Sequence, residues 1–396
     1  MRLCMISMDA VSQTDADRLF SLPHLSRLKK MGVYCDGVQT VYPTITYPIH
    51  TSLLTGCYPE SHGIGHNQPF QPDTEKQMRA WYWEIGQIQR KTLHQAAREK
   101  GMDVASILWP VTGKNPYARR NFPEVLPLPG ESTVKKMLTY ASPLWVLQTE
   151  ILYGKQRKSI RQPDLDEYAA LLCEKLYASH RPPDLLTVHF VDCDAMRHWH
   201  GVDSAQAHEA MVRLDRHVGQ IMSAVEKAGL MEETLFCIVS DHGQQDAKNG
   251  VMLDRELKNA CGARAQTLGM GAYIFGDDLE KIRETLEKNQ KKWKIRRILG
   301  EKEIRAMHGP RDVQLAVEAE ENCCFIDEAE ETFGEHGFSV DAPQAKTFFL
   351  LAGPGVHKET EIPHMQLVDI APTLAKALGL SLPDAEGRIL SEIFQA

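Results

Sequence analysis

The sequence lacks a C-x-x-C pair, and its nine cysteines (Cys4, Cys35, Cys57, Cys173, Cys193, Cys237, Cys261, Cys323 and Cys324) are scattered and odd in number. Several stand inside apolar runs, as buried free thiols do. A disulfide scaffold is excluded, and a reduced, cytoplasmic setting is expected. No apolar run approaches the ~20 residues of a membrane span, and no membrane association is expected. The apolar run Leu3–Ile6 gives way to Asp9, too soon for a signal peptide. Positive charge is not in excess: Lys plus Arg is 45 against 53 Asp plus Glu, a formal net charge of −8. That disfavours a broad nucleic-acid-binding face. It leaves nucleotides open, because a metal site binds phosphate in an acidic protein. There is no internal repeat and no low-complexity tract. What remains, 396 residues with 43% hydrophobic and 25% charged, is the composition of a soluble globular enzyme. Its length fits one large domain with insertions, or two or three smaller ones.

Short apolar runs alternate with helix-period segments, the pattern of an α/β fold with a mostly parallel central sheet flanked by helices. The strand candidates are Leu3–Met8, Val104–Trp109, Leu185–Val191, Leu235–Ser240 and Thr347–Ala352. In His208–Lys227, apolar residues recur at 3–4 spacing from Met211 to Val225, which predicts an amphipathic helix. Asp164–Ala178 and the tail Val368–Leu380 read the same way. Two regions break the alternation. Pro123–Gln162 is an excursion over the sheet. Ala263–Phe325, with its own strand–helix–strand pattern, is a small inserted α+β subdomain. The expected organisation is therefore a catalytic core in residues 1–262, the insertion in 263–325, and the completing part of the core in 326–396. Insertion and excursion are expected to shape the pocket mouth.

Ligands of open α/β sheets bind at the carboxyl ends of strands. Here those ends carry Asp9, the Asp192/Asp194 pair and Asp241. Metal-ligand side chains cluster in three further segments: Asp194 with His198, Asp241 with His242, and His336 within Gly334–Gly337. Taken singly, an Asp after a strand is most often a cap or turn former, and a lone His is most often structural. Together, three Asp and three His at strand ends point to metal. Imidazole plus carboxylate suits zinc, manganese or iron. Six ligands suit two ions, because one ion takes three or four. Thr46 lies just ahead of Pro48, a residue suited to the first turn of a helix ending near Gly56. There it is either a simple cap or a nucleophile at a helix start that favours an anion.

At this point a family resemblance appears. Pro43-Thr44-x-Thr46-x-Pro48-x-His50, then Thr55-Gly56-x-Tyr58-Pro59-Glu60-Ser61-His62-Gly63-Ile64 and Asn67, resembles the signature of nucleotide pyrophosphatase/phosphodiesterases of the alkaline phosphatase superfamily. Asp9, Asp194, His198, Asp241, His242, His336 and the tail Val368–Thr373 match in order. The resemblance implies the alkaline phosphatase-like fold and a two-zinc hydrolase of phosphodiester or pyrophosphate bonds in nucleotides, working through a phospho-threonine. It implies that Asp194, His198 and His336 hold one zinc. Asp9, Asp241 and His242 would hold the other, with Thr46 as nucleophile and further ligand. Manganese or cobalt are the expected substitutes. Asn67 would donate to a phosphoryl oxygen, and Tyr47 falls where the family stacks an aromatic on the base, or else is a core tyrosine.

Two departures bear on substrate. Arg197 stands where the family has Gly, and His200 follows His198, a local form similar to phosphonoacetate hydrolases, which are the alternative reading. Lys114 follows a family-like Trp109-Pro110, but its neighbours differ. Arg197 and Lys114 could each reach the pocket as a carboxylate or phosphate binder. Between Tyr42 and Asn67 there is no Lys or Arg, which suits a singly charged diester better than a dianionic monoester. A non-catalytic metal-binding interaction protein is the remaining reading, disfavoured by the intact nucleophile and ligands. The expected partner is a small phosphodiester or nucleotide; the oligomeric state is not read from the sequence.

Overall fold

The computed structural model describes residues 1–329 and 331–395. In chain order, the elements that position the site are β1 (Arg2–Met8), β2 (Gly32–Gln39), α1 (Thr46–Thr55), β3 (Val104–Ile107), β4 (Arg120–Phe122), α2 (Thr133–Tyr140), α3 (Pro143–Tyr153), α4 (Asp164–Tyr177), β5 (Leu185–Phe190), α5 (Asp192–His200), α6 (Ala205–Lys227), β6 (Thr234–Ser240) and β7 (Lys346–Ala352). The central sheet runs β2-β7-β6-β1-β5-β3-β4, with Thr360–Glu361 and Met365–Gln366 beside β2.

β1 is the centre of the sheet and shows why its sequence is a continuous apolar run. Alternate residues point to opposite faces, so Cys4, Ile6 and Met8 join one core while Leu3 and Met5 join the other. Both faces are covered by helices, as a parallel sheet requires. Each fully buried aliphatic side chain contributes roughly 1.5–3 kcal/mol. β1 pairs in parallel with β5 and β6, and Met8 is level with both Phe190 and Ser240. The three strands therefore stop in line. The residues that follow them, Asp9, Asp192 and Asp241, share one edge.

β7 departs from the parallel pattern. It runs antiparallel to both β2 and β6, so its start lies at the carboxyl edge where the acids gather. Because His336 precedes β7, this reversal brings it to the same edge. A small sheet fixes the approach: Gln245–Val251 pairs with Gly334–Glu335, with Glu335 level with Gln245. The segment after His242 is thereby tied to the segment before His336. Gly337 follows at φ 78°, and a Cβ there would overlap the Leu268 carbonyl. Only glycine fits.

A separate antiparallel sheet of Ile295–Gly300, Leu315–Ala319, Gly271–Phe275 and Arg264–Thr267 packs under helix Leu279–Asn289 through Leu286, Trp293 and Val317. Leu253 and Leu257 enter the same core. The excursion forms α2 and α3. Among the described residues no helix is long and apolar enough to cross a membrane.

Candidate metal centre and nucleophile

The six acids and imidazoles converge into two trios. Asp9, Asp241 and His242 form one, and Asp194, His198 and His336 the other; within each, one ligand atom per residue lies within 4.8 Å of the others. The first follows from two strands ending in line. The second is built on α5, where Asp194 and His198 are one turn apart on one face, with Nε2 of His198 3.3 Å from Oδ1 of Asp194. The rings of His242 and His336 stack with centroids 4.2 Å apart and join the trios into one centre.

Neighbouring groups orient Asp241, Asp194, His198 and His242 and leave other ligand atoms unpartnered. Oδ1 of Asp241 accepts the Ala10 and His242 N–H groups at 3.1 and 2.8 Å, while its Oδ2 is buried without a hydrogen-bond partner. Oδ1 of Asp9 and Nδ1 of His336 are equally orphaned. The His198 Nδ1 faces the Gly334 carbonyl at 2.8 Å and the His242 Nδ1 faces the Gly243 carbonyl at 3.2 Å. Those contacts aim both Nε2 atoms at the centre, the usual support of a metal-binding histidine. Gln244, which sequence reasoning missed, donates to Oδ1 of Asp194 at 2.5 Å.

The electrostatics ask for cations. Burial, then the charges of Asp241 and Asp194, push the Asp9 carboxyl well above its ordinary range; burial also raises Asp241. Burial depresses His336, reinforced by His242 and His198, and lowers His242 to about 4. Burial would raise Asp194 as well, but His198 and its neighbours outweigh it and hold that carboxyl below the usual range. Crowded buried carboxylates with unpartnered oxygens beside neutral imidazoles fit divalent metal.

Thr46 is the first residue of α1 and only 8% exposed. Its Oγ1 lies 3.3 Å from Nε2 of His242, at the rim of the first trio. The Tyr47 N–H donates to Oδ1 of Asn67 at 2.9 Å, which fixes the Asn67 amide and leaves its NH2 as the donor. Pro48 has no N–H. The helix start therefore offers the Thr46 N–H and the Asn67 amide, rather than a row of backbone donors.

Two histidines outside the expected set complete the surroundings. His189 is fully buried on β5, with Nε2 3.1 Å from Oδ2 of Asp9 and Nδ1 3.4 Å from Oε2 of Glu124. His50, Asp241 and His189 also come within ligand distance of one another. His50, however, has both nitrogens engaged, Nε2 with the Ser7 hydroxyl and Nδ1 with the Thr46 carbonyl, each at 2.8 Å. A polar residue amid the apolar run Leu185–Phe190 was the only sequence signal for His189.

Several expectations are corrected. Tyr47 is 0% exposed, packed with Ile64 and Val111 and tilted against Trp81 at 5.3 Å. It is a core tyrosine with no open ring face for a base. Arg197 does not reach the pocket: it lies buried, bonded to Asp15 at 2.6 Å. Lys114 pairs with Glu84 at 2.7 Å. Asp192 turns away to Arg213 at 2.6 Å. No cation from either departure therefore serves the site. A cavity of about 170 Å³ opens beside the centre, lined by His66, Asn67, Lys76, Thr267 and His336. A larger cavity, about 790 Å³, lies elsewhere, beside α3, and touches none of the six ligands.

A family model described as type I phosphodiesterase / nucleotide pyrophosphatase matches residues 3–339. The chain belongs to this family. As a member it is a hydrolase of phosphoester bonds. It is 24% identical over 404 residues to bis(5′-adenosyl)-triphosphatase ENPP4 of Bos taurus, covering 96% of this chain and 78% of that protein. It is 28% identical over 242 residues to ectonucleotide pyrophosphatase/phosphodiesterase family member 1 of Mus musculus, covering 60% of this chain and 23% of that longer protein. Its fold matches murine ectonucleotide pyrophosphatase/phosphodiesterase 5 at a TM-score of 0.75, with 19% identity and full coverage of both chains. The same fold recurs in an inactive variant of that murine protein in complex with AMP, at a TM-score of 0.73 and 18% identity.

Proposed function

We propose that this phosphodiesterase uses two zinc ions to cleave phosphodiester or pyrophosphate bonds of nucleotides, through a covalent phospho-threonine at Thr46. The observation that carries the reading is the Thr46 hydroxyl at a helix start, 3.3 Å from a histidine of one ligand trio, with the second trio joined to the first through stacked imidazoles. Asp9, Asp241 and His242 would hold one ion and Asp194, His198 and His336 the other. Bound zinc supplies the charge that makes a hydroxyl or water nucleophilic near neutral pH and offsets charge on phosphoryl oxygens.

The chain's own residues do the rest. Thr46 Oγ gives up its proton to solvent and attacks phosphorus: an O–P bond to threonine forms as the bond to the leaving oxygen breaks, and that oxygen departs as an anion or takes a proton from solvent. Water then cleaves the threonine ester and restores the hydroxyl. The Asn67 NH2 and the Thr46 N–H donate to a non-bridging oxygen as charge builds there. Both donors are neutral, and Arg197 is tied to Asp15, which supports a singly charged diester as substrate. The AMP bound by the murine relative supports a nucleotide. Eight free cysteines besides Cys324, seven of them buried, support work in a reducing, cytoplasmic compartment.

The test is a comparison of esters. The 4-nitrophenyl ester of thymidine 5′-monophosphate is expected to be cleaved at least about tenfold more efficiently than 4-nitrophenyl phosphate, a difference of at least ~1.4 kcal/mol in transition-state binding. Preferred cleavage of the monoester or of phosphonoacetate would reject the diester reading.

A further inference from the structure

The excursion presents an apolar surface that the chemistry at Thr46 does not use. On α3, Leu144, Leu147 and Ile151 are 84%, 53% and 75% exposed. Their i, i+3, i+7 spacing places them along one stripe of the helix. Val134 and Leu138 on α2, with Leu126 and Ile160, are exposed too, and with Leu147 they line an apolar cavity of about 300 Å³. On the other flank, Leu144 and Leu152 edge the 790 Å³ cavity. The stripe and its flanks form one patch, and soluble monomers seldom leave such a patch uncovered.

Charge identifies the occupant. The whole chain is formally −8, yet the excursion holds Lys135, Lys136, Lys155, Arg157, Lys158 and Arg161 against Glu124, Glu131 and Glu150, and among the described residues only Lys136 and Arg157 of these cations are paired with them, to Glu131 and Glu150. Lys135, Lys155, Lys158 and Arg161 are exposed, and Arg119 lines the opposite flank, where Lys175 and Arg181 are paired with Glu174 and Asp103. A second copy docked on this face would set one cationic rim against its twin. A surface bearing negative charge above an apolar interior matches both features. The α3 helix has 11 residues, about 16 Å at 1.5 Å per residue, half of what a span needs. It suits lying in the plane of a membrane.

We propose that α3 and its basic rim form a docking surface for an anionic lipid bilayer. The exposed leucines and Ile151 enter the headgroup boundary and the exposed lysines and Arg161 meet lipid phosphates or carboxylates. The surface is independent of the metal centre, so its test stands whatever the enzyme cleaves.

The experiment is co-sedimentation of the full chain with vesicles of phosphatidylcholine alone and of phosphatidylcholine mixed with phosphatidylserine. Binding to the mixed vesicles is expected to be at least about tenfold stronger and to weaken with salt. Lys155→Glu with Lys158→Glu is expected to remove the preference for mixed vesicles. Leu144→Asp with Ile151→Asp is expected to abolish binding to both kinds. Each variant should still hydrolyse bis(4-nitrophenyl) phosphate, which reports the fold. If the aspartate variant loses that activity, the charge variant on the exposed loop decides. Equal or absent binding to the two kinds of vesicle overturns the proposal. So does a dimer, seen by sedimentation velocity, that the aspartate pair dissolves while no vesicle is bound.

Discussion

Thr46 and Thr44 stand two residues apart and do different work. Thr46→Ala removes the proposed nucleophile and leaves all six proposed ligands. Turnover is expected to fall by at least about 10³-fold, with two zinc ions per chain retained by elemental analysis; activity within tenfold of wild type would mean that water attacks phosphorus directly. The Thr44 hydroxyl is buried and donates to the Phe338 carbonyl at 2.8 Å. Thr44→Ala should therefore cost about 1–3 kcal/mol of stability with turnover largely kept. His189 lies 3.1 Å from Asp9 and is expected to act through it. Asparagine at 189 is too short to span Asp9 and Glu124, so zinc affinity, measured by competition with a chromophoric chelator, is expected to drop about 10–100-fold. An unchanged affinity would make His189 a packing residue only. Residue types at strand ends made Asp9, Asp194 and Asp241 legible in advance. Tyr47 and Arg197 were not, because sequence spacing carries no information on which way a side chain turns.

The element that decides the second trio is α5. Its start has no side-chain cap of its own; instead Oδ2 of Asp166, on α4, accepts the Val191 and Asp192 N–H groups, both at 2.8 Å. Asp166→Ala strands two buried donors and is expected to cost about 2–4 kcal/mol, read as a lower urea midpoint. Asp166→Asn, which keeps an acceptor oxygen, should lose less. If the two variants are equally stable, the cap contributes nothing. The five strands expected from apolar runs all form. β2 and Gln245–Val251 escaped notice because Gly, Asp and Lys interrupt their apolar pattern. The direction of β7 was equally invisible: a strand's composition does not encode which way it runs, and the reversal follows from the connection through the His336 loop.

At the scale of the molecule, the six proposed ligands come from four segments and would act as a cross-link that exists only when metal is bound. An ion that binds only the native state at a thousandfold excess over its Kd adds ~4 kcal/mol. Chelation is therefore expected to lower Tm by roughly 5–10 °C and abolish turnover, with zinc restoring both and manganese or cobalt substituting. A chelated chain with unchanged Tm would show that the centre stands without ions. The order of the ligands along the chain also sets a timetable. On a ribosome, Asp9, Asp241 and His242 have all been made once residue 242 is joined, whereas the partner of Asp194 and His198 is still unmade until His336. One pocket would be able to take its ion while the polypeptide is growing; the other is closed only by a segment made after it. Metal starvation between those two steps would leave half-loaded molecules, with the ion beside Thr46 in place and its counterpart missing.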